Sequence, residues 1–210
     1  MLFIHNGRTV NRFKNYPIKC HGCVFKCNLA DIANMQMFNC MGSQYIIWPG
    51  ENLYLVQGMT ALLKDTYYNI HSGGLLFVDF THDYLSFFSN DTWINLLEKV
   101  PLEIILLTEQ TMEPLANYWK QNDNRIAGVL SVKTYRPFRL RNPRRVDLAG
   151  RSRKIKTATA MEVKVMELLL SGNSAREAGK ALNISTKSVF NLQYSLERKF
   201  GKTLKEMLIR

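Results

Sequence analysis

Residues 159–206 read TAMEVKVMELLLSGNSAREAGKALNISTKSVFNLQYSLERKFGKTLKE, and this stretch decides how the chain ends. Thr159-Ala-Met-Glu162, Ser174-Ala-Arg-Glu177 and Thr203-Leu-Lys-Glu206 each fit S/T-x-x-E, in which a hydroxyl and a carboxylate reciprocally satisfy the free N–H groups of a helix start. A single match says little, but these three fall in register with apolar periodicity. In the first helix Met161, Val165, Leu168 and Leu169 share one face, and Gly172 stops it. Ala178, Ala181 and Leu182 give the second helix a narrow face of small residues that lets another helix come close. Asn183 makes the turn and Ile184 plugs it from beneath. Ser185 then caps a longer helix with Val189, Leu192, Leu196 and Phe200 at three-to-four-residue spacing. Thr186, Lys187, Phe190, Asn191, Tyr194 and Arg198 face away from that stripe and form the candidate contact face.

Working outward, charge divides the chain into four pieces. Residues 1–42 carry +4 and residues 43–134 carry −5. Residues 135–156 carry nine basic side chains, Arg136 to Lys156, against Asp147, giving +8, and residues 157–210 carry +4, for a net +11. A polyanion would be repelled by the second piece and attracted by the last two, so the positive field sits where phosphates would dock.

Thr159, Glu162, Val165, Gly172, Glu177, Leu182, Ile184-Ser185, Val189, Lys199 and Gly201 resemble the LuxR/FixJ (NarL) helix-turn-helix family over roughly the last 55 residues, the size of one small module. The resemblance implies a DNA-binding transcription regulator of bacterial type. It also implies that the helix from Ser185 to Lys199 enters the major groove and that the last helix forms a dimer contact through Leu204, Met207 and Leu208. Base-reading positions carry over onto Phe190, Asn191 and Tyr194. Asn191 suits adenine and Phe190 a thymine methyl, whereas guanine reading by lysine is not expected. The family usually has lysine and histidine at Phe190 and Leu192, and often alanine at Gly179. Phosphate contacts are expected from Thr186, Lys187, Ser188 and Arg198. Control of a surface structure such as fimbriae is a further implication of the family likeness.

Residues 43–134 alternate strand-like runs (Tyr45 to Trp48, Leu75 to Phe80, Ile104 to Leu107, Gly128 to Val132) with amphipathic stretches, the pattern of a parallel sheet flanked by helices. Gly58 to Leu63, the strand ending Val78-Asp79-Phe80 and Ile105-Leu-Leu-Thr108 resemble a response-regulator receiver, with Asp79 at the phosphoacceptor place. Phosphoryl transfer there needs acids to hold Mg²⁺ and a lysine to neutralise charge. The chain has Gly50-Glu51 where two acids belong and Val132 where the lysine belongs, and only about 20 residues separate Gly58 from Asp79. The fold class expected is therefore an α/β receiver-like domain with a degenerate parallel sheet, followed by an all-α four-helix LuxR-type helix-turn-helix domain. The boundaries expected are a Cys-containing segment 1–42, the receiver-like domain 43–134, a basic linker 135–156 and the DNA-binding domain 157–210.

Cys20, Cys23, Cys27 and Cys40 fall within 21 residues. No cofactor is required by the reading so far. The spacing leaves open zinc, an iron–sulfur cluster or a redox switch, with ordinary buried thiols as the default. No secretory leader or membrane span is read, so a cytoplasmic protein without a membrane partner is expected. His5, His21, His71 and His82 lack the neighbours of a catalytic triad, and a Gly-rich phosphate loop is missing, so an enzyme is not expected. The leading expectation is sequence-specific binding of double-stranded DNA by a dimer, independent of phosphorylation. The alternative is a protein-interaction modulator that heterodimerises with a related regulator, so that homodimer and heterodimer both stay open.

Overall fold

The computed structural model describes residues 18–22, 45–65, 74–100, 102–131 and 156–208. Among the described residues four strands, β1 (Tyr45–Trp48), β2 (Leu75–Phe80), β3 (Glu103–Thr108) and β4 (Ile126–Ser131), form one parallel sheet in the order β1-β2-β3-β4. Parallel neighbours need crossovers, and helices supply them. Helix α1 (Leu53–Asp65) joins β1 to β2; a 3₁₀ turn (His82–Tyr84), α2 (Leu85–Phe88) and α3 (Thr92–Leu96) join β2 to β3; α4 (Glu113–Asn122) joins β3 to β4. The strand sequences are apolar on both faces because both faces are covered, as expected of a parallel sheet.

The two faces are unequal. Tyr45, Ile47, Leu75, Phe77, Ile105 and Leu107 face α1, which meets them with Met59 and Leu63. The opposite face, with Ile46, Trp48, Leu76, Val78, Phe80 and Leu106, packs on α2 to α4. There Phe88 and Trp93 meet edge to face at 5.3 Å, Trp93 and Trp119 at 5.5 Å, and Phe80 stacks on Phe88 at 4.1 Å. Trp119 Nε1 is satisfied by the Phe88 carbonyl at 2.9 Å.

The C-terminal helices are α5 (Ala160–Leu170), α6 (Ala175–Leu182), α7 (Thr186–Phe200) and α8 (Leu204–Leu208). Each of the three S/T-x-x-E signatures is a closed capping box. Thr159 and Glu162 exchange bonds of 2.7 and 3.3 Å, Ser174 and Glu177 of 2.7 and 3.2 Å, and Thr203 and Glu206 of 2.7 and 3.2 Å. Asn183 ends α6 in the left-handed conformation at φ 54°, a role asparagine tolerates.

Two faces differ from the periodicity reading. Met161 is exposed, and α5 buries two stripes: Val165 joins α6 and α7, while Val163, Met166 and Leu170 face the sheet domain. A single-stripe reading cannot find the second surface, because it assumes one neighbour per helix. In α6 the close approach is made at Ala178 and Gly179, while Ala181 is exposed. A Cβ added at Gly179 would lie 2.9 Å from the Ile184 carbonyl oxygen, so glycine here is what lets the turn fold back onto the helix.

The helical unit packs directly on the sheet unit. Ala158 N donates to the Pro114 carbonyl at 2.9 Å, and Asn117 Nδ2 donates to the Lys156 carbonyl at 3.4 Å. Val163, Met166, Leu170, Leu196, Phe200, Leu204 and Met207 belong to the same apolar cluster as Trp93 and Trp119. Helix α8 rests against the 3₁₀ turn and α7 touches α4. Each side chain of this size contributes about 1.5–3 kcal/mol when fully buried, so the docking is held by the same force as the core.

Candidate nucleic-acid interface and strand-end acid pocket

Helix α7 begins at Ser185, whose hydroxyl accepts from Ser188 N at 3.0 Å. With 15 residues it is about 22 Å long. Its inward stripe, Val189, Leu196 and Phe200, is buried. Thr186, Lys187, Phe190, Asn191, Tyr194 and Arg198 are all exposed, with Phe190 at 57% and Tyr194 at 65%. Lys187, Asn191, Tyr194 and Arg198 recur at four, three and four residues, so they form one stripe along the helix. Ser188 differs: it is half-buried and its hydroxyl lies 2.8 Å from that of Ser185, engaged in the cap.

Beside the start of α7 lies a concavity of about 410 Å³ lined by Arg176, Gly179, Lys180, Asn183, Ser185 and Thr186. Arg176 and Lys180 sit one helical turn apart on α6, both exposed. Sequence reasoning passed over them because it read α6 only for its apolar face. Their signal was the i, i+4 basic pair at the turn.

The face is held from behind by an ion pair whose carboxylate is buried and whose ammonium is half-buried. Glu162 receives Lys199 Nζ at 2.6 Å and Ser195 Oγ at 2.7 Å while closing its own capping box. Burial alone would raise its pKa, but the bonds from Lys199, Thr159 and Ser195 prevail and hold the carboxyl below the usual glutamate range. One side chain thus ties the start of α5 to the middle and end of α7.

Leu204 and Met207 lie within the chain's own core at 6% and 2% exposure, while Leu208 is 36% exposed. Of the three positions that family likeness assigns to a dimer contact, two are occupied by the sheet unit.

The C-terminal ends of parallel strands collect at one edge of the sheet, and here they collect acids. Asp79 is the penultimate residue of β2 and is 4% exposed. Its carboxyl is pushed up to about 6, first by burial; a hydrogen bond from Asn52 opposes this and the charges of Asp83 and Glu109 reinforce it. Glu51 accepts from Tyr84 Oη at 2.9 Å. Burial, and then this bond, holds the Tyr84 hydroxyl above its usual range. Glu109 accepts from His82 N at 2.9 Å and pairs closely with His82 Nδ1; burial opposes ionisation, yet His82 keeps the carboxyl below its usual range. Thr108 is fully buried and its hydroxyl donates to the Glu109 carbonyl at 3.1 Å.

Asp79 and Thr108 are thus brought to one edge with Glu51, where the receiver resemblance puts them. Asn52, Asp83, Glu109 and His82 join them and were not foreseen: His82 and Asp83 follow Asp79 within four residues in the turn after β2, whereas Asn52 and Glu109 reach this edge through the strand alignment. Among the described residues no group of three His, Cys, Asp or Glu side chains is placed to hold a metal ion. Val132 lies outside the described residues, as do Cys23, Cys27 and Cys40 and the basic residues from Arg136 to Lys154. Cys20 is buried in the large apolar cluster, with Gly22 N directed at its sulfur at 3.4 Å. No described helix is long and apolar enough to cross a membrane.

Comparison with known proteins adds three findings. The family model of the EcpR N-terminal domain matches residues 19–137. Uncharacterized protein YqeH of Escherichia coli (strain K12) is 25% identical over 206 residues, covering 95% of each chain. The structure of RcsB from Salmonella enterica serovar Typhimurium, bound to promoter rprA in the presence of phosphomimetic BeF3-, matches at 20% identity with a TM-score of 0.34, covering 75% of this chain and 95% of that one.

Proposed function

The chain belongs to the EcpR N-terminal domain family, and from that premise we propose that it is a transcription regulator that binds specific double-stranded DNA as a dimer, through α7, without phosphoryl transfer to Asp79. The observation that carries this reading is the free outer stripe of α7, with Asn191 at its middle and Arg176, Lys180 and Lys187 beside its start. A helix of this width fits the major groove, where Asn191 would pair with adenine and Phe190 would meet a thymine methyl. The flanking cations would set the helix on the phosphates. Lys156 begins the described part of the helical unit, and the eight basic residues that precede it from Arg136 onward would supply further phosphate contacts.

Independence from phosphorylation is supported by what surrounds Asp79: Gly50 stands where one of the two metal-holding acids belongs and Val132 where the charge-neutralising lysine belongs, and Asp79 itself is 4% exposed. The sheet unit then serves as a packing platform for the helices.

Selection of bound sequences from a random duplex pool, followed by fluorescence anisotropy, tests the proposal. Affinity is expected to fall steeply with salt, and Asn191→Ala is expected to lose about 1–3 kcal/mol of discrimination at one base step while nonspecific binding is kept. Replacing Arg136, Arg139, Arg141, Arg144 and Arg145 by glutamine is expected to weaken binding to all sequences alike. If selection returns no enriched site, the reading fails. A second reading, a modulator that heterodimerises with a related regulator, is favoured by the exposed rings of Phe190 and Tyr194, since aromatic side chains are enriched at protein interfaces. It gains if the chain binds no DNA alone but does so when mixed with its partner.

A further inference from the structure

The outer face of α7 is uncharged at its centre. At 3.6 residues per turn, Lys187, Phe190, Asn191, Tyr194 and Arg198 fall within an arc of about 100°. Lys187 and Arg198 stand near the two ends of that face, about 16 Å apart along the axis. Between them the exposed side chains are a phenyl ring, an amide and a phenol. Both rings are more than half exposed and lie one turn apart, on a helix whose other side is fixed in the chain's own core by Val189, Leu196 and Phe200. Among the described residues neither ring belongs to an apolar cluster of the fold.

We infer that Phe190 and Tyr194 together read the methyl groups of two thymines, so that the bases under α7 are A·T pairs and the discriminating group is a methyl rather than a guanine acceptor. The inference rests on the proposed function and names the class of base pair that this helix takes. In the major groove guanine offers two acceptors, which arginine or lysine would meet, and cytosine a donor, which a carboxylate would meet. The centre of this face carries neither. Adenine offers an acceptor and a donor side by side, which the Asn191 amide matches, and thymine offers its C5 methyl. Two exposed rings beside that amide therefore suit A·T pairs. The spacing agrees, since four residues advance a helix by about 6 Å, close to two base steps of about 3.4 Å. Charge favours a duplex over an apolar protein partner. Lys187 and Arg198 bracket the rings, Arg176 and Lys180 stand beside the helix start, and the separation of the outer pair suffices to reach phosphates on both sides of a groove about 12 Å wide.

Selection of an enriched site by the full chain, followed by replacement of each thymine of that site in turn by deoxyuridine, tests it. Deoxyuridine removes the methyl and keeps every hydrogen bond of the pair, so the readout needs no change to the protein. At two thymines about two base pairs apart, affinity is expected to fall about fourfold each, the worth of one buried carbon. Phe190→Ala is expected to abolish the dependence at one of these positions and Tyr194→Ala at the other, while Tyr194→Phe keeps it. Both side chains are exposed, so the variants are expected to melt with the wild type. Exchange of a sensitive T·A pair for C·G is expected to weaken binding, and 5-methylcytosine at that place to restore part of it. A deoxyuridine site bound as tightly as the thymine site overturns the inference. So does a G·C core under α7, or a methyl dependence that survives both alanine variants, and in each of these cases the DNA-binding reading stands. A chain that enriches no site, its rings serving only to pair with another protein, overturns both.

Discussion

Asp79 and Glu162 are both carboxylates at the edge of a secondary element, and they are buried alike, at 4% and 3% exposure. Their electrostatics run in opposite directions. Glu162 is met by Lys199, Ser195 and the Thr159 N–H, and stays ionised below the usual range. Asp79 is met by one amide, Asn52, and by two further acids, and holds its proton up to about pH 6. The helical unit compensates its buried charge and uses it as a tie. The sheet unit retains the outline of a charged site in which the charge is a burden.

The largest loss should come from breaking the compensated site. Glu162→Gln leaves Lys199 without its charged partner and a single acceptor oxygen for contacts that two carboxylate oxygens now share, and we expect a loss of about 1–3 kcal/mol in urea unfolding at neutral pH. Because the folded pKa of Glu162 is depressed, its contribution is present above the ordinary glutamate range and disappears as pH falls through the lower folded value. A variant as stable as the wild type would show that the tie is idle.

Relieving the uncompensated site should act with the opposite sign. Ionised Asp79 destabilises the fold, and a shift from 3.8 to about 6 corresponds to about 3 kcal/mol at neutral pH. Asp79→Asn is therefore expected to gain about 2–3 kcal/mol at pH 7. The wild type should lose stability as pH rises from about 4 to about 6 on this account, and the variant should lack that slope. A destabilised variant would mean that the carboxylate has a cation or partner that earns its place in the fold.

A smaller test compares backbone fit. Alanine ordinarily improves a helix over glycine by about 1 kcal/mol, yet at position 179 the added methyl would lie 2.9 Å from the Ile184 carbonyl. We expect Gly179→Ala to lower stability by about 1 kcal/mol, measured by thermal unfolding. A gain would show that the turn between α6 and α7 yields easily, weakening the picture of a rigid reading helix.

Much of this was legible in the sequence. The runs Tyr45 to Trp48 and Leu75 to Phe80 are strands with those same limits, because a buried parallel strand shows as an unbroken apolar run. The three capping boxes form because their partners are three residues apart, a distance any helix closes. The second buried stripe of α5 was not legible, since Val163, Met166 and Leu170 have meaning only once a second neighbour is present. Nor were Asn52 and Glu109 as companions of Asp79, whose pairing depends on strand order across the sheet.

The sequence by itself determined what depends on short range: helix starts and stops, the outward stripe of α7 from Thr186 to Arg198, the parallel-sheet pattern and the position of Asp79 at a strand end. Only the tertiary structure decided which apolar faces meet. It placed Leu204 and Met207 against the sheet unit, left Leu53 and Tyr54 exposed, and gave Glu162 a cation while Asp79 received acids. The reason is physical: local hydrogen bonds are fixed by spacing along the chain, whereas apolar burial is nondirectional and takes whichever surface the fold brings near.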